Sequence, residues 1–413
     1  MGRLVIAEWR LSSRRSGLGA LFLAAVTTLS AGVLTAQATR DALVLESALT
    51  VPDSVPLTFV QQLVPGADGS VFLLDARTDG VLAFDSHGVF QRRLGRRGEG
   101  PGELLSPWRL GLLGQDTLWV ADARRRRINL YDTSTGASLG DLGPVTAEAS
   151  GAGRQLLRPF AVLADHSVVA IDWGTEEKLA NVLTFQSMGR EKNGQESLSL
   201  SVLDLQDRLL AVPVPAGGGG LQLRNPFSHS DMLAIEPSGR HVIVIRRPRP
   251  DGSRAIFTVE RHNVLEGSKD AISVPYLPRR LEAKDLRAWA EELGAVQRMV
   301  EMGVFPSRAA GVAAVLGALD EPEYYPPVRN RGRGIVEEGV LIDSGGSMWF
   351  GVADISRRTN EWAVVSSDGQ VSRFSVPVHA RLLAVQGDRV WAEVRDGFGV
   401  PLVHVFRVHP SGS

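Results

Sequence analysis

Basic side chains recur just behind proline-aromatic pairs in this 413-residue chain. Arg109 follows Pro107-Trp108, His229 stands two residues beyond Pro226-Phe227, Pro159-Phe160 forms a third pair, and Arg329, His379 and Arg381 hold weaker equivalents of the same place. A guanidinium binds carboxylate or phosphate through paired N–H donors, and imidazole adds a group that charges near neutral pH. Three arginines and two histidines around one opening would favour an anionic small molecule, a carboxylate-bearing peptide or a protein partner presenting such groups. The plainer outcome is a polar lining filled with water.

Other residues offer different chemistry. Asp75, Asp122 and Asp172 end equivalent apolar runs and could converge on a cation, or could each accept backbone N–H bonds at a turn. The stretch Gly95 to Glu103 reads GRRGEGPGE, in which Arg96, Arg97, Gly98 and Gly100 could contact an anion through successive N–H groups, with Arg92 and Arg93 nearby. No Gly-Lys-Ser/Thr follows it, so a nucleotide-phosphate loop is not indicated, and a connector between structural units is the simpler reading. Arg124 to Arg127, with Arg77 at the matching earlier position, could form a positive rim or a solvated hairpin. Catalytic and metal signatures are missing: there is no H-x-x-x-H, H-E-x-x-H or G-x-S-x-G, and no cysteine. The residues therefore assign no metal ligands and no cofactor.

The elements that would carry these groups are written in a repeat. VFLLDARTDGVLAFD (71–85) aligns without a gap on LWVADARRRRINLYD (118–132), an offset of 47 residues. A strand-rich unit of this period, punctuated by Gly and Asp, predicts a propeller of four-stranded sheets. The punctuation occurs six times, as ADGS before Val71, GQDT before Leu118, ADHS before Val168, PSGR before His241, SGGS before Met348 and QGD before Val390. Each is a turn leading into a β-branched or aromatic run. Two long intervals require insertions. Residues 213–225, with Gly217 to Gly220, read as a flexible surface loop. Between Pro278 and Pro327 the period becomes helical, with Leu286, Trp289, Ala290, Leu293, Val296 and Val300 on one stripe and Ser307 placed to cap a second helix. This helical pair, carrying Trp289, Met299 and Met302, reads as a cover packed on the propeller or as a lid or docking surface.

GRRGEGPGE at 95–103 and the D-A-R-x-x-x-I-x-x-Y-D pattern of 122–132 resemble the NHL-like six-bladed β-propellers of exported bacterial proteins. The likeness is specific over 69–143, spans most of 55–408, and departs where Arg246 and Val352 replace the strand-ending Asp. It implies an all-β, six-bladed β-propeller. Families of this shape include binding modules as well as metal-dependent lyases and lactonases with ligands at the central channel, so the resemblance speaks to architecture before chemistry.

The organisation expected is a signal peptide at 1–38, an N-terminal linker at 39–54, the propeller at 55–408 with a partly helical insertion at 277–335, and a tail at 409–413. Arg10, Arg14 and Arg15 precede the apolar run Leu18 to Leu34, and Ala36-Gln37-Ala38 fits a cleavage site, which predicts a periplasmic or secreted protein without stable membrane insertion. The Arg14-Arg15 pair leaves Sec and twin-arginine export both open. Removing the leader leaves 41 basic and 45 acidic side chains, a charge of −4 that gives no pull toward nucleic acid. The expectation is an exported, non-catalytic binding protein without a cofactor; the alternative is a calcium- or zinc-dependent hydrolase or lyase with its site in the channel.

Overall fold

In this computed structural model the described residues are 42–409, apart from 145, 150–152, 157, 172–182, 188–197, 200–208, 215–220, 253–254, 320–321, 329–338, 344, 353–360, 368 and 378. Every described residue belongs to one compact unit, 33–413.

Each of the six turn signals leads into the second strand of a four-stranded antiparallel sheet. The sheets, from first strand to last, are Val60–Pro65, Val71–Asp75, Val81–Phe84 and Phe90–Leu94; Pro107–Leu113, Thr117–Asp122, Arg127–Asp132 and Ser138–Leu142; Arg158–Val162, Ser167–Ile171, Leu183–Ser187 and Leu198–Ser199; Met232–Ile235, His241–Arg246, Ala255–Asn263 and Ser268–Tyr276; Val340–Ile342, Met348–Gly351, Glu361–Val365 and Val371–Ser375; and Arg381–Gln386, Arg389–Arg395, Pro401–His409 and Ala42–Ala48. Side chains are described on all four strands of five sheets; the outer two strands of the third are described in backbone alone.

The second strands are apolar through their centres because both of their faces are buried. Val71 and Leu73 pack toward the sixth sheet, while Phe72 and Leu74, on alternate positions, pack toward the second. Further clusters join the second, third and fourth sheets (Ile128, Val169, Leu233, Val244), the fourth and fifth (Ile245, Met348, Phe350) and the fifth and sixth (Trp349, Val390, Phe406). The core is thus a succession of inter-sheet layers, and the last layer returns to the first sheet. The chain is an all-β β-propeller with few helices.

Three expectations are corrected. The stretch 39–54 is not a linker throughout: Ala42–Ala48 is the outermost strand of the sixth sheet, paired antiparallel with Pro401–His409. Only Leu43 of its large apolar residues packs inward, whereas Val44 and Leu45 are about half exposed, so no hydrophobic alternation marks it. The segment 213–225 is not a loop throughout either, since Leu221–Arg224 pairs with Leu209–Val212; Gly217 to Gly220 lie outside the described residues. Finally, the helical stripe is broken. It forms α1 (Ala283–Glu292) and α2 (Gly294–Glu301), separated by an extended Leu293, before α3 (Arg308–Gly317), whose first turn is capped by Ser307 Oγ accepting from Ala310 N at 3.2 Å. Leu210, Val212, Leu223 and Phe227 pack with Ala290, Val296, Val312 and Val315, so the helices cover the 209–224 hairpin. Trp289 stands edge-on to Phe227, at 5.2 Å between centroids.

Candidate functional site

The first strands of all six sheets line one cavity of roughly 180 Å³, to which they contribute Gln61, Arg109, Phe160, Ala234, Leu341 and Arg381 among others. Their beginnings share one end of it, because they are tied to one another across the sheets. Arg381 donates to Val60 O, Gln61 Nε2 donates to Trp108 O at 2.9 Å, and Trp108 Nε1 donates to Pro159 O at 3.0 Å. Deeper in, the Gln62 carboxamide clasps the Leu110 backbone, with Nε2 on its carbonyl at 2.9 Å and Oε1 accepting its N–H at 3.1 Å. These bonds satisfy edge groups of the first strands that would otherwise face the cavity unpaired.

The end bearing the strand beginnings is cationic and aromatic. Arg109 lies 5.1 Å from the Phe160 ring and 5.7 Å from Trp108, Arg158 lies 5.2 Å from Trp108 on its own account, and Arg381 lies 4.9 Å from Phe59. Flat rings support guanidinium groups through their π-faces and hold them in place. Glu393, which is buried, accepts from both Arg381 at 2.5 Å and Arg395 at 2.9 Å, so that trio carries a net positive charge. Burial, and after it the charge of Arg126, holds the Arg158 guanidinium below the usual arginine range. Arg126 itself sits at φ 57°, a conformation that costs a branched-free L-residue energy relative to glycine.

Of the residues expected at the mouth, Arg109 and Arg381 both line the cavity. His379 is exposed and is not among the lining residues. Arg329 lies outside the described residues. His229 is not at the mouth: its Nε2 lies 3.4 Å from Tyr324 O, beside Arg247, whose guanidinium donates to Ser230 O and, at 2.7 Å, to Val328 O. The chain leaving the 209–224 hairpin is buried under the insertion at this point, which sequence spacing could not reveal. Burial pushes the His229 imidazole down to about 4, and the Arg247 charge acts in the same direction. Because the folded value is below the ordinary 6.5, the unfolded chain takes up the proton first. Stability should therefore be level above pH 6.5 and fall as pH drops toward 4, by on the order of 3 kcal/mol from this group. Urea unfolding across that window should show the loss in the wild-type chain and a flatter profile in His229→Gln.

The Asp75 and Asp122 carboxylates are each taken up by groups near their own hairpins. The Asp75 carboxylate accepts from the backbone N–H of Thr58, Phe59 and Arg77 at 2.7–3.0 Å and from Thr58 Oγ1 at 2.8 Å. Asp122 accepts from the N–H groups of Leu105, Ser106, Arg124 and Arg125 at 2.7–3.3 Å. Each thus pins its own hairpin to the connection arriving from the previous sheet. Asp172 lies outside the described residues. In the fourth sheet the polarity is reversed, with Arg246 at the strand end paired to Asp231 and to Glu260. Among the described residues no group of three or more His, Asp or Glu is placed to share a metal ion.

The GRRGEGPGE loop holds an anion of its own. Glu103 Oε2 accepts from Gly100 N at 2.8 Å and Oε1 from Arg96 Nε at 2.8 Å, while a Cβ on Gly98 would stand 2.0 Å from Glu103 Oε2. Arg97 is exposed. Arg125 pairs with Glu99 at 3.1 Å, and Arg127 with Asp141 at 3.1 Å and with the Gly100 and Glu103 carbonyls. Arg158, Phe59, Gln61 and Trp119 were not singled out from the sequence. Arg158 had a signal, standing immediately before the Pro159-Phe160 pair.

Comparison with protein families gives no match, and comparison with curated proteins gives none. Among solved structures the chain is similar to a candidate exported protein of Bacteroides fragilis (9% identity, 89% of this chain and 95% of that one, TM-score 0.47). It is similar also to streptogramin B lyase (10%, 90% and 100%, TM-score 0.41) and to the PQQ-bound aldose sugar dehydrogenase of Streptomyces coelicolor (12%, 90% and 99%, TM-score 0.37). These proteins differ in activity, and at such identities the likeness says nothing of chemistry. Among the described residues no helix is long and apolar enough to cross a membrane.

Proposed function

We propose that this chain is an exported binding protein, a closed ring of six blades that holds an anionic small molecule or the carboxylates of a peptide or protein partner at one mouth of its central channel. Support for the blade count comes from the six four-stranded sheets and from the apolar layers that run from each to the next and from the sixth back to the first. Support for export comes from the leader-like composition of 1–38. One observation carries the ligand reading: Arg109 and Arg381, from sheets four apart in the sequence, line the same cavity near the same end. Replacing both by glutamine is expected to lower retention on an array of anionic ligands at least tenfold while the fold, followed by circular dichroism, persists. Unchanged retention would remove the reading. One equivalent of calcium or zinc surviving dialysis of the purified protein would replace it with the metal-dependent hydrolase or lyase.

A further inference from the structure

The cavity behind the arginine mouth has walls of a different kind. Trp119 belongs to the second strand of its sheet, yet it lines the channel, because Gly111 on the first strand leaves room for its indole. A Cβ at Gly111 would stand 2.4 Å from Trp119 Cζ2 and 2.6 Å from Cε2, so the ring occupies the place of the missing side chain. Phe160, from the next sheet, lines the same cavity with the Arg109 guanidinium 5.1 Å from its ring. Leu110, Val162 and Leu382 continue the apolar lining.

At the other end of the channel the lining includes one carboxylate, that of Glu236. Glu236 follows the end of the fourth sheet's first strand and lines the cavity there. Its Oε2 is held by Ser238 Oγ at 2.9 Å and lies 2.7 Å from His241 Nδ1. The channel is therefore cationic where the first strands begin, aromatic and aliphatic along its length, and bears the single carboxylate of Glu236, with His241 beside it, where they end.

We propose that the ligand is a single-headed amphipathic anion, a monocarboxylate with a ring-sized apolar body that lies against Trp119 and Phe160 while its carboxylate meets Arg109. This rests on the reading of the arginine mouth given above and adds the chemical class. A cavity of about 150 Å³ with apolar walls accepts a benzene-sized group, and this one is roughly 180 Å³. A second carboxylate on the far side of the ring would be directed toward Glu236 and is disfavoured by like charge. Inorganic phosphate or acetate would satisfy the mouth but leave the aromatic wall uncovered.

Titration calorimetry with benzoate, acetate, inorganic phosphate, benzyl alcohol and terephthalate tests this directly. Benzoate is expected to bind at least tenfold tighter than each of the others. Ala161→Leu and Ala234→Leu, which add bulk to the lining without touching an arginine, should each weaken benzoate at least tenfold and leave acetate unchanged. If acetate or phosphate matches benzoate, the apolar body is wrong and the arginine mouth stands. If benzyl alcohol matches benzoate, the anionic head is wrong; if terephthalate does, the single charge is. If no anion binds and Arg109→Gln changes nothing, both this inference and the reading beneath it fall. Should a filled variant melt below the working temperature, the ratio of benzoate to acetate on the wild-type chain decides alone.

Discussion

Asp122→Ala should destabilise the chain by about 3–5 kcal/mol, the largest loss expected from a single replacement. The carboxylate is fully buried and takes four backbone N–H groups, those of Leu105 and Ser106 arriving from the first sheet and those of Arg124 and Arg125 in its own hairpin. Alanine removes the acceptor and leaves four donors in a place where water enters only if the connection opens. Each unmade bond of this kind costs about 1–3 kcal/mol, and partial relaxation keeps the total below the sum. Asp122→Asn keeps one acceptor oxygen and should lose about half as much. Asp75→Ala should behave likewise, since the same position in the first sheet holds Thr58, Phe59 and Arg77. Urea denaturation measures these losses, and chelators should not reproduce them. A wild-type midpoint that fell on chelation would show that these carboxylates serve a cation after all.

Removing Ala42–Ala48 should cost about 3–6 kcal/mol and make the protein self-associate. The strand contributes six paired residues to the sixth sheet, from Ala42 opposite His409 to Ala48 opposite His404, and a net backbone hydrogen bond is worth about 0.5–1.5 kcal/mol. Glu46 meets Arg407 at 2.8 Å and Arg389 at 3.3 Å, but these are solvent-facing pairs and add little. Without the strand, Pro401–His409 becomes an unpaired edge, and such edges recruit other chains. Sedimentation of the shortened chain should show dimers or larger species, and a peptide of sequence ALVLESA should restore the monomer and the midpoint. A shortened chain as stable and as monodisperse as the full one would mean that the ring does not depend on this strand for closure.

Several features were legible because they are local. The turn signals at Gly69, Gly239 and Gly346 require φ near 67–84°, which glycine adopts without strain, so the sequence marks these hairpins by itself. His166 takes the same place in ADHS at φ 66°, and the turn is still recognisable from its neighbours. The doubled unit at 71–85 and 118–132 shows the strand-ending Asp in both copies, and both perform the same task. Ser307 could be named as a cap because capping involves only the next three residues.

What stayed hidden depends on residues far apart in the chain. The closing strand Ala42–Ala48 carries its apolar residues without alternation, and its partner lies more than 350 residues later. Leu221–Arg224 reads as a loop until helices drawn from 283–317 cover its hairpin. His229 shares the proline-aromatic signal with Arg109, but its segment passes beneath the insertion and the imidazole is half-buried there. Trp119 belongs to a second strand and reaches the channel only because Gly111 lies beneath it.

The sequence by itself determined the repeating sheet, its turns and the aspartates that end its strands, because each of these is settled by alternation and bonding within about twenty residues. Tertiary structure alone decided which basic groups share a cavity, which aromatic rings stand behind them, and that Ala42–Ala48 completes the last sheet. Those outcomes depend on how successive sheets pack face to face, and burial of that kind sums contributions from segments that no local spacing connects.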